Sequence, residues 1–345
     1  MKKRKESTVG IIGAGPAGAM CAHELAGSGT EVILFDHKAP WEKPCGGMLS
    51  ARVFEEFPLM REYPFPKMEF NEIMLISPRS DMTTKELTRP IYTISREELG
   101  RYLLDRAIGS GAQFVQERVK SVKRAGTGWS IASEGGTWDC GIIIGADGAH
   151  GIVKKSIDGS KPGTGNVLTC GYFLTGVRES HCIFKFLDRL GYLWVYPRPN
   201  DHSIGIGYIH SSEKPTGEKM FMILEKFIRG YCPEAVKKAK WSSFIPIAHD
   251  PRQYDAPCSG DGWILIGDAA GNVDPLTGEG IYYAMKSARA AARSITEGSN
   301  FGACRDEACG TLLKEKAKIL KNLIKTEQQS GPEVAGAFYY HIMCK

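Results

Sequence analysis

The sequence predicts an α/β fold in which a Rossmann-like dinucleotide-binding domain is interleaved with a second domain rich in β-sheet. Three observations carry this expectation. GAGPAG occupies Gly13 to Gly18 between an apolar run and a helical pattern. GADG at Gly145 to Gly148 and GDAAGNVDPLTGEG at Gly267 to Gly280 each follow an apolar run of their own. The stretch between those two motifs consists of short aromatic and β-branched runs separated by turn residues. Because the motifs span the chain, the domains interleave, and 345 residues suffice for two cores.

Val9, Ile11 and Ile12 form the first expected strand, and Met20, Ala22, Leu25 and Ala26 are the apolar positions of the helix after it. The glycines between them have separate tasks. Gly13 permits the tight turn, and Gly15 lets the backbone approach a pyrophosphate whose charge the helix N-terminus stabilises. Gly18 lets the helix lie close on the strand. Glu31 to Phe35 reads as the second strand and ends in Asp36, 18 residues beyond Gly18. An acid about 20 residues on holds the ribose hydroxyls of a dinucleotide and argues against a 2′-phosphate.

Further along, Ser95 and Glu98 form a capping box that opens a helix through Leu99 and Leu103, with Arg96 in its first turn. Ile142, Ile143 and Ile144 lead into Asp147, and Trp263 to Ile266 lead into Asp268. Either aspartate alone could be a turn or N-cap residue. Pro275 and the run Thr277 to Gly280 open another helix, whose apolar positions Ile281, Ala284, Met285, Ala288, Ala292 and Ile295 recur at spacings of three and four. Its N-terminus presents partial positive charge. The middle region reads as strands at Leu168 to Val177, Cys182 to Leu187, Tyr192 to Tyr196 and Ser203 to Ile209. The expected boundaries are 1–78, 90–165 and 255–300 for the dinucleotide-binding domain, 79–89 and 166–254 for the β-rich domain, and 301–345 for a C-terminal helical segment.

The order of the three motifs resembles the FAD-dependent hydroxylases and reductases of the p-hydroxybenzoate hydroxylase-like superfamily. The resemblance implies an FAD-binding domain of the glutathione reductase type and FAD as cofactor. It places Asp147 and Gly148 near the pyrophosphate, and gives Asp268 the ribityl chain and pyrophosphate. The helix N-terminus after Gly280 would face flavin N1 and the C2 carbonyl, where reduced flavin is negative. Arg96 is implied at the adenosine and diphosphate portion, although a solvated first-turn residue reads the same way. Ala17, Val119, Pro275, Gly278 and Ile281 complete the implied FAD contacts.

Lys43 to Ser50 contains Pro44, Cys45, Gly46 and Gly47 and resembles the PCGG segment of the geranylgeranyl reductase family, flavoenzymes that saturate isoprenoid carbon–carbon double bonds. The likeness continues through Ser95 and Arg96, Tyr192 to Pro197, and Gly267 to Met285, and so covers most of the chain. His150 and Gly151 depart from it where a Ser or Thr is common, as do Met48 and a short C-terminus. The resemblance implies backbone contacts from Cys45, Gly46 and Met48 to FAD, and a substrate wall of Tyr192, Trp194 and Tyr196, which share one strand face. An aromatic stripe at that spacing also describes ordinary core. Cys45 is either a small apolar filler or the donor of the proton that accompanies hydride addition.

The function so implied is FAD-dependent reduction of an isoprenoid lipid or prenyl diphosphate, with electrons from NAD(P)H or a ferredoxin-like protein. A flavin monooxygenase or halogenase fits the same fold, since Trp194 and Pro197 fall near the signature strand of flavin halogenases. A non-catalytic FAD-binding protein is the third reading. The formal charge of +5, without interleaved aromatic and basic residues, argues against nucleic acid. No apolar run reaches the ~18 residues of a membrane span, and Met1 to Glu6 lead directly into the first strand, so a cytoplasmic protein is expected. Ten cysteines without a CxxC pair imply reduced thiols and no metal or iron–sulfur site. From Leu312 to Lys325, Leu313, Ala317, Leu320 and Ile324 alternate with lysines. That pattern suits a helix lying on an anionic membrane or one packing its apolar side on its own domain.

Overall fold

The computed structural model describes residues 7–159, 166–210 and 215–344; the N-terminal lead Met1 to Glu6 lies outside them. The chain divides into two compact units. One comprises Met1–Trp41, Glu97–Asn166 and Pro246–Ala317, the other Glu42–Arg96, Val167–Ile245 and Lys318–Lys345.

The first unit is built on a six-stranded sheet. From one edge to the other its strands are Gln113–Val115, Val32–Phe35, Val9–Ile12, Ile142–Gly145, Trp263–Leu265 and Ser259–Gly260. The first five run parallel and the last antiparallel. Val9–Ile12 and Val32–Phe35 are buried at every position, as expected of central parallel strands flanked by helices, where apolar residues run continuously instead of alternating. The helices Pro16–Gly27 and Ile281–Glu297 bury small residues, Ala19 and Ala22 on one and Ala284, Ala288 and Ala291 on the other, which allows close approach. A separate meander, Val119–Ala125, Gly128–Ser133 and Thr137–Cys140, packs Trp129 and Ile131 with Phe35, Ile143 and Val153.

The second unit is built on an eight-stranded sheet in the order Val236–Pro246, Asn166–Thr175, Asp201–Tyr208, Gly191–Arg198, Cys182–Phe186, Met68–Ile76, Met82–Thr93 and Met48–Ser50. Gly191–Arg198 is antiparallel to both neighbours, while Cys182–Phe186 pairs in parallel with Met68–Ile76. Its faces differ in chemistry because side chains alternate along each strand. One face is largely aliphatic: Leu193, Val195, Ile204 and Ile206 pack under Met220, Leu224 and Ile228 of the helix Gly217–Tyr231. The other carries Phe173, Trp194, Tyr196 and Trp241.

The expected boundaries placed 42–78 and 90–96 with the dinucleotide-binding part. In the structure those residues supply Met48–Ser50, Met68–Ile76 and the end of Met82–Thr93 of the eight-stranded sheet. The pairing that recruits them, Ile73 opposite Cys182, joins segments far apart in sequence and leaves no local pattern. Residues 301–345 are likewise shared: 301–317 belong to the first unit and 318–345 to the second. Within the helix Thr311–Ser330, Leu313, Ala317, Leu320 and Ile324 are all buried, so of the two readings of this stripe the structure takes packing. Among the described residues no helix is long and apolar enough to cross a membrane.

Candidate functional site

In the first unit the three glycine motifs meet, and glycine is the reason they can. A Cβ on Gly13, whose φ is +100°, would lie 2.4 Å from the carbonyl oxygen of Ala146. One on Gly18 would lie 1.8 Å from the Gly13 carbonyl oxygen and 3.1 Å from the Ala146 Cβ. One on Gly267 would lie 2.9 Å from the Ala17 Cβ and 3.4 Å from the Ala284 Cβ. The first motif is thereby in contact with the second and the third at once. Gly15 is different. It opens the helix Pro16–Gly27, and a Cβ there would meet nothing within 4 Å, so the backbone is open where the first-turn N–H groups have no intrahelical partner. Those free donors and the helix dipole form an anion cradle.

The acidic residues divide their work. One Asp36 carboxylate oxygen accepts from the Ala14 N–H at 2.9 Å; the other accepts from the N–H groups of Lys38 at 2.8 Å and Ala39 at 3.1 Å. Asp36 is thus fixed beside the cradle at the end of Val32–Phe35. Asp147 accepts from the Val153 N–H at 3.0 Å, at the start of the helix Ile152–Asp158. Its second oxygen is buried without a hydrogen bond, and burial raises the carboxyl pKa despite the N–H groups that oppose the rise. Gly151 makes this placement possible, because a Cβ there would fall 2.0 Å from the Asp147 Oδ1; that accounts for the glycine where the resemblance expected Ser or Thr. The neighbouring Gly148, at φ +78°, leaves open backbone. Asp268 lies beside the start of the helix Ile281–Glu297, with its Oδ1 3.2 Å from the place a Gly280 Cβ would take. The Gly267 N–H before it donates to Ser287 Oγ at 3.0 Å. Pro275 and Ile281 are buried, Gly278 takes φ +74°, and Val119 begins its strand half-buried.

In the second unit Gly46 lies against the aromatic face: a Cβ on it would come within 2.8 Å of the Tyr196 ring and 3.5 Å of Trp194 Nε1. Gly47, at φ +79°, is also confined: a Cβ on it would lie 2.5 Å from the Ile94 carbonyl oxygen. Cys45 is half-buried; its Sγ accepts from the Gly47 N–H at 3.4 Å and its carbonyl from Ser203 Oγ at 3.4 Å. Met48 follows in the strand paired with Thr93. Tyr192, Trp194 and Tyr196 do share one face, with ring centroids 6.0 Å apart along the row. Burial, with the neighbouring Tyr192, Cys182 and Cys45, pushes the Tyr196 phenol well above its ordinary pKa.

This loop is anchored by an ionic cluster with no counterpart in the sequence reading. Arg198 donates through Nε to Asp201 at 2.7 Å and through Nη1 to Glu42 at 2.7 Å, with its guanidinium 4.2 Å from the Phe173 ring centroid. Glu42 also accepts from Ser95 Oγ at 2.6 Å and from the Arg96 N–H at 3.1 Å. Glu42 thus holds Ser95 and Arg96, the residues that precede and open the helix Arg96–Gly109. Burial would raise its pKa, but Arg198, Ser95 and the Arg96 N–H outweigh burial and hold the carboxyl low. Arg96 itself is buried, and its Nε has no hydrogen bond. Trp241 is the other residue the sequence reading missed. Its indole stacks 6.0 Å from that of Trp194, and no spacing connects the two positions.

The open Gly15 cradle, the fixed Asp36, the exposed backbone at Gly148 and the acid at position 268 fit an FAD. Among the described residues no group of His, Cys, Asp and Glu could hold a metal, and all ten cysteines are free. Residues 6–303 match the FAD binding domain family. The chain is 27% identical to the chloroplastic geranylgeranyl diphosphate reductase of Oryza sativa subsp. japonica, over 94% of this chain and 72% of that protein. It is 27% identical to the digeranylgeranylglycerophospholipid reductase of Methanocaldococcus jannaschii, over 80% of this chain and 73% of that protein. Two solved structures share the fold. One is a geranylgeranyl bacteriochlorophyll reductase-like protein from Thermoplasma acidophilum, at TM-score 0.71 and 19% identity, with 98% of this chain and 88% of that chain covered. The other is a flavin-dependent brominase, at TM-score 0.72 and 19% identity, with 97% and 89% covered. Because the family match spans most of the chain and the relatives include reductases, this chain belongs to the FAD binding domain family and is an FAD-dependent oxidoreductase.

Proposed function

We propose that this oxidoreductase saturates carbon–carbon double bonds of an isoprenoid chain, in a lipid or a prenyl diphosphate. The observation that carries the reading is the aromatic face of the second unit. Trp194 lies flat over Gly205, where a Cβ would be 2.2 Å from the indole, and Trp241 lies flat over Gly171 at the same 2.2 Å. Gly171 and Gly205 are paired opposite each other across neighbouring strands, so two indoles and Tyr196 form one flat apolar floor. A polyprenyl chain has no charge to read and is bound by area and shape, which such a floor supplies. The reductases among the relatives support the same substrate class.

When bound, FAD supplies in its reduced form the hydride that adds to one alkene carbon. The chain's own residues bind the isoprenoid, exclude water and deliver a proton to the other carbon. Cys45, Gly46 and Met48 contact FAD through the backbone in this reading, and Arg96 offers its unpartnered Nε to the adenosine diphosphate portion. Cys45 is the first choice as proton donor and the neutral Tyr196 phenol the second. NAD(P)H or a ferredoxin-like protein would supply the electrons.

The test is anaerobic reduction of the FAD-loaded protein followed by mixing with geranylgeranyl lipids. Flavin reoxidation together with a product mass raised by two hydrogens per bond is expected. Reoxidation only by oxygen, with halide or hydroxyl incorporation, would instead favour the halogenase and monooxygenase chemistry whose fold the brominase shares. Reoxidation by no substrate at all would leave a non-catalytic flavoprotein.

A further inference from the structure

We propose that Lys316 and Asp274 form a positioning pair for the flavin, an ion pair between a buried carboxylate and a partly exposed lysine that fixes the loop 274–280 and balances the charge beside it. This rests on the assignment of Pro275, Gly278, Gly280 and Ile281 to the FAD. Lys316 lies beyond residue 303, where the family match ends.

Asp274 is 1% exposed and bonds its own loop at several points. One carboxylate oxygen accepts from the Leu276 N–H at 2.9 Å and the Thr277 N–H at 3.3 Å. Its backbone N–H donates to the Glu279 carbonyl at 3.0 Å, and its carbonyl accepts from the Gly278 N–H at 2.9 Å. The second carboxylate oxygen is bound by Lys316 Nζ, from the helix Thr311–Ser330. A carboxylate this deep needs a counter-charge, and removing Lys316, whose side chain is 26% exposed, would leave Asp274 buried and uncompensated. The residue before Asp274 is tied to the same part of the chain. Tyr254 Oη donates to the Val273 carbonyl at 3.1 Å, and the Tyr254 carbonyl accepts from Arg305 Nη2 at 3.1 Å. The segment 305–316 therefore reaches the loop directly through Lys316 on Asp274 and indirectly through Arg305 and Tyr254 on Val273, shortly before the helix Ile281–Glu297.

The pair is neutral as a unit and charged when broken. Reduced flavin is negative, so an unpaired Asp274 opposes reduction and an unpaired Lys316 favours it. Asp274→Asn keeps an acceptor for the Leu276 and Thr277 N–H groups and leaves the lysine charge. Lys316→Met keeps the length of the side chain and leaves the carboxylate.

The experiment measures the flavin reduction potential of FAD-loaded variants by equilibration with reference dyes, and the FAD dissociation constant by flavin fluorescence. Asp274→Asn should raise the potential and Lys316→Met lower it. The double variant should return close to the parent, and Lys316→Arg should stay there. Lys316→Met should also weaken FAD binding about tenfold. Single variants that shift the potential in the same direction, or leave it unmoved, would overturn the proposal. Asp268→Ala serves as control for the cofactor site: undiminished FAD retention in that variant would count against the site assignment itself, whatever the potentials of the pair.

Discussion

Asp268, Cys45 and Tyr196 are the residues to which the proposed function assigns the cofactor and the proton. Asp268 lies beside a helix start with its carboxylate close to Gly280; on the proposed reading it accepts from the ribityl hydroxyls, and Asp268→Ala removes that charged acceptor. The loss should be about 1.5 to 3 kcal/mol, roughly ten- to hundred-fold in FAD dissociation constant; reconstitution of apoprotein monitored by fluorescence measures it, and unchanged affinity would remove Asp268 from the site. An isolated alkene is a poor hydride acceptor, so its proton must come nearly together with the hydride from a group at about 3 to 3.5 Å. Cys45→Ser keeps the shape but raises the donor pKa and should slow single-turnover reoxidation by substrate far more than flavin reduction. If the rate is unchanged, the thiol is packing. Tyr196, kept protonated by burial, then becomes the donor to test with Tyr196→Phe.

Among the elements, the strand Gly191–Arg198 joins the anchor and the floor. Its alternation sends Leu193 and Val195 into the aliphatic core and Trp194 and Tyr196 to the aromatic face. Arg198, at its end, ties down Glu42 before the Cys45 loop. Trp194→Ala should alter the chain length accepted or the number of bonds reduced while leaving FAD content nearly unchanged. Product mass distribution against flavin absorbance reads both. In a variant that remains folded and flavin-loaded, an unchanged product distribution would make the stripe ordinary core and withdraw the substrate assignment; Trp194→Phe, which keeps an aromatic ring in the packed site, gives the same readout if the alanine variant unfolds. Trp194 is 7% exposed and stacked on Trp241, so truncation should cost several kcal/mol of stability, about 3 to 5 for an aromatic removed from a packed site.

At the scale of the whole molecule, the Glu42 cluster is one contribution to stability that acid should remove. The folded-state pKa of Glu42 is held below its ordinary value, where burial acting alone would raise it, because Arg198 and the hydrogen bonds from Ser95 and the Arg96 N–H prevail. A depressed carboxyl contributes stability that is complete above its unfolded pKa and is lost as the pH falls through its folded one. Glu42→Gln should therefore destabilise at neutral pH by roughly 1 to 3 kcal/mol, less than a fully buried pair because Glu42 keeps some solvent contact. The deficit should shrink as the pH falls from the ordinary glutamate range through the lowered pKa. Urea midpoints of parent and variant across that window check it, and a deficit independent of pH would show that Arg198 does not hold Glu42 charged.

The glycine motifs and the acid of the dinucleotide-binding unit were legible in the sequence because their requirements are local, although the boundaries of the unit were not. A positive φ at Gly13, a helix start with no room for a Cβ at Gly18, and an acid one strand further on at Asp36 are written as residue types at fixed spacings. The alternation of Tyr192, Trp194 and Tyr196 was legible for the same reason. The tertiary structure alone decided that residues 42–96 join the eight-stranded sheet, that Trp241 completes the aromatic floor, that Arg198 gathers Glu42 and Asp201, and that Lys316 neutralises Asp274. Except for the short link from Arg198 to Asp201, these join residues tens to more than a hundred positions apart. Such contacts have no period and no spacing to betray them; they form because a buried charge needs a partner and an apolar face needs cover, and only the folded chain shows which distant residue supplies it.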